Sequence, residues 1–304
     1  MVRDEQLLLA PGSLWELAVV TARQAAAKGA FQPIATTVQH AEQAGVRFVV
    51  RMLAGERGAA AAQAKEERAT AGTPTNVDPF LPYDPDLFVA GITPQHVCLL
   101  NKFTVIDHHL LIVTRAFEPQ DEPLNQADFV ALAACMAEID GLAFYNAGKL
   151  AGASQRHKHL QLAPLPLDPA GTPIPIAAAF GERARPGQIT VLPALPFRHA
   201  FAWLDPAWTA TPAAAASYLL AFYARMLEET GVWQGSERPP RPYNWLATRS
   251  WMLMAPRVAE EVEGVPVNAL GFAGSLLVRD PDQLAWLRGY GPMNLLKAVA
   301  GSGA

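Results

Sequence analysis

Residues 152–166 read GASQRHKHLQLAPLP. A loop of small residues leads into two histidines and a glutamine at alternate positions, and two prolines close the run. Successive side chains of a strand point to opposite faces. His157, His159 and Gln161 therefore share one face, and Lys158, Leu160 and Leu162 share the other, where the leucines can pack a core. A helix would set the two histidines about 200° apart, and Pro164 and Pro166 also disfavour one. The segment is a strand with a polar face beside a Gly/Ala/Ser loop.

The flanking sequence extends this pattern. SLWELAVVTARQAAAKG predicts an opening helix, capped by Ser13, with Glu16 completing a capping box and Gly29 as the stop. GVRFVVRM (45–52) reads as a strand. Residues 53–77, rich in Ala, Gly and charge, read as a mobile surface loop or short exposed helix, or as a flap over a ligand. HVCLLNKFTVIDHHLLIVTR reads as two strands around a break, and NQADFVALAACMAEID as a helix capped by Asn125. GLAFYNAG is a short strand and KLAGASQ a loop. Past a proline-rich connection, FRHAFAWL is strand-like and PAAAASYLLAFYARMLEETG helical. YNWLATRSWMLMAPR reads as two strands meeting at a tight turn, GFAGSLLV as a further strand, and PDQLAWLRGYGPMNLLKAVA as short helices. Adjacent strands with helices between the sets indicate an α+β architecture rather than βαβ alternation. One domain spanning 1–304 is expected, with a part to about residue 200 carrying the histidine strand and a part from 201 completing the fold.

Composition narrows the function. Of 304 residues 51% are apolar and 17% charged, which excludes wholesale disorder. A net charge of −4 argues against a general nucleic-acid binder, so anionic ligands need local clusters of Arg and Lys. The two cysteines, Cys98 and Cys135, form no CxxC pair, which argues against structural zinc and a disulfide framework. No apolar run approaches the ~20 residues of a membrane span, and the N-terminus does not read as a signal peptide. The expectation is a cytoplasmic protein with no membrane partner.

Three chemistries suit the polar face. The side chains could be satisfied on a solvent-facing strand. They could hold a metal, given a third ligand from His96, His108, His109, His199 or a carboxylate. Or an imidazole could act as a nucleophile while neighbouring polar groups and loop amides grip an anion. Phosphorus chemistry fits the third: an imidazole with an ordinary pKa near 6.5 is largely unprotonated at neutral pH. The N–P bond it forms is reactive enough to pass the group on, and backbone N–H groups of a small-residue loop can hold charged oxygens.

HKHLQ resembles the His-x-His-x-Gln motif of the transferase branch of the histidine-triad superfamily. Over most of its length the chain is similar to the diadenosine tetraphosphate phosphorylases (ATP adenylyltransferases), through NKF, HHLLIVTRAFEPQ, FYNAG, GASQRHKHLQ, YNWLATRSWMLMAPR and GFAGSLLV in order. The resemblance implies a histidine-triad-like antiparallel sheet (half-barrel) with flanking helices. It implies that His159 is the nucleophile at the α-phosphorus, that Gln161 bonds the α-phosphate, and that His157 supports one or the other. Gly152, Ala153, Ser154 and Gln155 match the loop that cradles polyphosphate. Asn101 and Lys102 match a pair that contacts nucleotide and phosphate, Asn146 matches the substrate-site asparagine ahead of the loop, and Asn244 and Arg249, with Arg257 similar, match a strand of the second nucleotide or acceptor site. Arg47 and Arg51 fall where the family carries a base to the distal phosphates. A solvated surface role is the plainer alternative for Lys102, Asn244 and Arg249.

The implied reaction is phosphorolysis of diadenosine tetraphosphate to ATP and ADP, reversible as synthesis of the dinucleotide, with nucleotides and phosphate as partners. The enzyme would be a monomer or homodimer. No protein-held metal is expected; a divalent cation such as Mg²⁺ would ride on the phosphates. Two rivals are a hexose-1-phosphate uridylyltransferase, which usually has proline between the histidines where this chain has Lys158, and a non-catalytic nucleotide sensor.

Overall fold

The computed structural model describes residues 7–55, 78–182, 185–205, 207–208, 211–233 and 240–302. The loop expected at 53–77 lies, from residue 56 onward, outside the described residues. In chain order the strands are β1 (Thr36–Gln43), β2 (Val46–Leu53), β3 (Phe88–Gly91), β4 (His96–Leu100), β5 (Leu110–Thr114), β6 (Gly141–Ala147) and β7 (His159–Pro164). They continue with β8 (Ile189–Thr190), β9 (Ala200–Trp203), β10 (Tyr243–Ala247), β11 (Trp251–Pro256), β12 (Glu261–Val262), β13 (Val265–Pro266) and β14 (Ser275–Val278). The helices are α1 (Leu14–Ala27), α2 (Gln126–Glu138), α3 (Pro212–Glu229), α4 (Ala269–Phe272), α5 (Pro281–Tyr290) and α6 (Pro292–Ala300).

Nine strands make one sheet in the order β3-β4-β5-β7-β6-β10-β11-β9-β8, each neighbouring pair antiparallel. A smaller sheet runs β1-β2-β14. The α+β expectation holds. Alternation along the strands sorts the large sheet into two faces. Leu160 and Leu162 of β7 join Ile112, Tyr145, Trp245 and Met254 beneath α1, α2 and α3. Burial of each leucine contributes about 1.5–3 kcal/mol. On the opposite face Phe144, Ala163, Leu246 and Leu253 pack against β2, β14 and the C-terminal helices. Toward the β3 edge that face carries Val97, Leu99, Leu111 and Val113 with Phe80. His159, Gln161, Asn146 and Asn244 interrupt the apolar cover between the two clusters.

The helix ends differ from expectation in one place. α2 starts as read: Asn125 accepts from the Ala127 and Asp128 amides, and Asp128 accepts from the Asn125 amide. At α1, however, the Ser13 hydroxyl donates backward to the Ala10 carbonyl, so no capping box forms. Glu138, at the end of α2, caps α1 instead, accepting from Gly12 and Leu14 amides at 3.0 and 2.7 Å. The GFAG part of the last predicted strand is helical, because Asn268 caps α4 before the chain extends at Ser275.

Candidate active site

β7 begins at His159; His157 precedes it in a single bridge to Pro119. The two imidazoles are held differently. His157 Nδ1 lies 2.6 Å from the Asp78 carboxylate, while Nε2 lies 2.8 Å from the Thr114 carbonyl and 2.9 Å from its hydroxyl. Both nitrogens are engaged, and neither offers a free lone pair. His159 Nδ1 lies 2.8 Å from the His157 carbonyl. A carbonyl only accepts, so Nδ1 carries the hydrogen and Nε2 keeps its lone pair; the tautomer follows from this bond. Phe80 packs on both rings, with centroids 5.6 Å from His157 and 5.3 Å from His159.

Burial pushes the His159 imidazole down to about 4; the neighbouring His157 adds to the fall, and the bond to the His157 carbonyl opposes it. At neutral pH the ring is uncharged.

Behind the histidines, Lys158 points to the helix face and is 1% exposed. Its ammonium meets Glu118 at 2.7 Å and Asp128 at 3.1 Å, and Asp128 also meets His96 Nε2 at 2.9 Å. Burial alone would raise the Asp128 carboxyl; the His96 bond and the Lys158 charge outweigh it and hold the group below its usual range. Lys158 in turn stays protonated despite burial, because Asp128 and Glu118 raise it. The histidine strand is thereby tied to the capping box of α2.

Most of the predicted site residues converge. Gln161 lies on the face of His159 and is half-buried. Asn146 and Asn244 are direct cross-strand partners. The Asn244 amide donates to Asn146 Oδ1 and to the Ala151 carbonyl, both at 2.8 Å, and Arg257 donates to Asn244 Oδ1 at 2.6 Å. Asn146 Oδ1 also accepts from the Ala269 amide. These side chains seat the loop that follows β6. Gly152, with φ +83°, needs to be glycine: a Cβ there would lie 2.8 Å from that of Asn268. The Gly152 and Ala153 amides bond back to Lys149 and Gly148. Among the described residues the Ser154 and Gln155 amides have no protein acceptor.

Asn101 donates to His109 Nδ1 at 3.2 Å, beside Phe144, and Lys102 lies 3.7 Å from Asp84. Arg51 is buried and bonds the Leu167 carbonyl, and Arg47 reaches His40. Arg249 is not brought to the histidines. Its guanidinium donates to the Met136 and Ala137 carbonyls at the C-terminus of α2, on the helix face, so its place is that of a helix cap. Nor do the other candidate metal ligands join the pair: His96 bonds Asp128, His199 takes the Leu192 amide and faces the Phe197 carbonyl, and His108 packs on Trp15. Among the described residues no three His, Cys, Asp or Glu side chains group as metal ligands.

Two family models tile the chain: the Ap4A phosphorylase N-terminal domain over residues 4–182 and the ATP adenylyltransferase C-terminal domain over residues 193–302. This chain belongs to the Ap4A phosphorylase family. An ATP adenylyltransferase is a nucleotidyltransferase, which sets the class of chemistry. Among relatives in Saccharomyces cerevisiae, the chain is 26% identical to diadenosine 5',5'''-P1,P4-tetraphosphate phosphorylase 2 over 231 residues, 68% of this chain and 70% of that one. It is 26% identical to Protein APA1 over 207 residues, 60% of this chain and 61% of that one. The fold matches yeast Ap4A phosphorylase Apa2 in complex with Ap4A, with a TM-score of 0.75 at 20% identity, covering 97% of this chain and 100% of the other. No helix among the described residues is long and apolar enough to cross a membrane.

Asp78, Phe80, Thr114 and Gln120 escaped the sequence reading. Asp78 and Phe80 lie far from the motif in sequence, and no local pattern marks them; Thr114 and Gln120 fall within HHLLIVTRAFEPQ, which carries the resemblance without showing which of its side chains meet the histidines.

Proposed function

We propose that this protein phosphorolyses diadenosine tetraphosphate to ATP and ADP through an adenylyl group on His159, and runs the reverse synthesis from ATP and ADP. One observation carries the proposal: His159 is a buried, uncharged imidazole whose Nδ1–H is tied to the His157 carbonyl, leaving the Nε2 lone pair for attack. Nε2 forms a bond to the α-phosphorus and the bond to the bridging oxygen breaks, releasing ATP. The ring becomes cationic, and the carbonyl at Nδ1 stabilises that charge. A phosphate oxygen then attacks the same phosphorus from the vacated side, the N–P bond breaks, and ADP leaves with the imidazole restored. Two in-line displacements give ping-pong kinetics and net retention at phosphorus.

Gln161 donates its amide to the α-phosphate in this scheme. The Ser154 and Gln155 amides take phosphate oxygens, with Gly152 and Ala153 shaping the turn that aims them. Asn146, Asn244 and Arg257 hold that turn, and Asn101 and Lys102 serve the nucleotide. A divalent cation travels with the polyphosphate, coordinated by phosphate oxygens and water. The enzyme acts on free nucleotides of the cytoplasm as a monomer or homodimer.

The test is product analysis with and without phosphate. Phosphate-dependent release of ATP and ADP in equal amounts, lost in His159→Ala, is the expected result. Turnover by His159→Ala at the wild-type rate, or turnover of a UDP-sugar in place of the dinucleotide, refutes the proposal.

A further inference from the structure

The ladder between β6 and β7 stops short of the nucleophile. Pairing runs from Gly141↔Pro164 to Phe144↔Gln161; two more steps in this register would set Asn146 opposite His159. A side chain fills that place. Gln120 Oε1 accepts from the His159 amide at 2.8 Å, and its Nε2 donates to the His159 carbonyl at 3.2 Å and the Asn146 carbonyl at 3.0 Å. A primary amide suits the gap because it presents one acceptor and two donors in a plane. Gln120 is itself held: its N–H donates to the Arg156 carbonyl, and the Tyr145 hydroxyl donates to its own carbonyl. It is 3% exposed.

We infer that Gln120 is a positioning residue for the nucleophile, standing in for a strand so that β6 and β7 part where substrate enters. The His159 ring is tied to its own strand through the His157 carbonyl, so the aim of Nε2 follows the local backbone. Gln120 bonds that backbone through both its N–H and its C=O. This role rests on the adenylyl-histidine proposal, and a misplacement of ~1 Å is worth up to about a hundredfold in rate.

Gln120→Glu gives a signature that simple loosening does not. The acid keeps the acceptor for the His159 amide but turns an oxygen toward two carbonyls, and only its protonated form can donate there. The ionisable groups around this position are His159 and Tyr145, the chain neighbours Glu118 and Asp121, and Arg156, His157 and Lys158 of the segment paired with 118–120; burial holds His159 low and Tyr145 high, so neither of those rings titrates between pH 6 and 8. The experiment is single-turnover transfer of AMP to the full-length enzyme from diadenosine tetraphosphate without phosphate, with the amplitude counting folded sites and the rate constant reporting aim. Gln120→Ala is expected to slow the rate constant about 30- to 100-fold at every pH, with the dissociation constant for AMP within about threefold of wild type. Gln120→Glu is expected to quicken about tenfold or more from pH 8 to pH 6, while wild type stays flat. A wild-type rate constant in Gln120→Ala, or a Gln120→Glu profile parallel to wild type, overturns the role; if Gln120→Ala fails to fold, the Glu profile decides alone. Wild-type enzyme that takes up no AMP overturns the adenylyl-histidine proposal and this role with it, whereas uptake by wild type and Gln120→Ala with the same rate constant overturns the role alone.

Discussion

Lowering the pH tests the environment of His159, the proposed nucleophile, directly. With the His159 imidazole at about 4, roughly 97% of the rings are neutral at pH 5.5; an imidazole at the ordinary 6.5 would be about 9% neutral there. The two cases differ about tenfold in the rate of adenylyl transfer at that pH. Diadenosine tetraphosphate suits the assay, because it has no terminal phosphate whose second ionisation near pH 6 would overlay the profile. Rapid-quench measurement of AMP transfer without phosphate, at constant ionic strength, should give a rate constant flat from pH 8 to about 5 and falling through about 4. A midpoint near 6.5 would mean that water reaches the ring freely, and the burial argument would be wrong.

The same shift affects stability with a definite sign. The unfolded chain binds this proton near pH 6.5 and the folded chain only near 4, so the contribution of neutral His159 is present above 6.5. It is lost as pH falls from 6.5 to about 4, at a cost approaching about 3 kcal/mol. His159→Gln, which cannot titrate, should lose correspondingly less stability over that window in urea melts.

Lys158→Met removes one partner of a buried charge and should cost about 3–5 kcal/mol in urea denaturation; adding Asp128→Asn should recover part of it. Arg249→Ala should lower stability by about 1 kcal/mol through the lost cap on α2 while kcat and KM stay unchanged; a tenfold rise in KM would place Arg249 at substrate after all. Gly152→Ala forces a side chain into a left-handed position against Asn268, so KM for the dinucleotide should rise at least tenfold, measured by steady-state kinetics with a melt as control. Asn244→Ala frees the Ala151 carbonyl and Asn146, and should raise KM while costing about 1–3 kcal/mol.

What could be read from sequence was the part written in local periodicity. The alternation in HKHLQL gave the strand, its two faces and the side of each histidine; NQAD marked the start of α2; YNWLATRSWMLMAP showed a hairpin. Long-range placement was not readable. β1, with TTVQHAEQ, looks too polar for a strand, and the short edge strands β3 and β8 carry too few residues for a pattern. Nothing near Ser13 announces that Glu138 will cap α1 across the fold. Lys158 was assigned the correct face, but its burial depends on Asp128, thirty positions earlier in the chain. Arg249 sits in a turn that resembles a nucleotide-binding segment, and its hydrogen bonds to the end of α2 are a tertiary contact that no local pattern announces.

The central claim is best tested by looking for the proposed covalent intermediate. The enzyme is incubated with diadenosine tetraphosphate in the absence of phosphate, quenched in base, digested, and sequenced by tandem mass spectrometry. The account predicts one acid-labile AMP moiety on the imidazole of His159, discharged as ADP when phosphate is added before the quench. AMP found on another residue, or ATP released with no modified peptide, would contradict it.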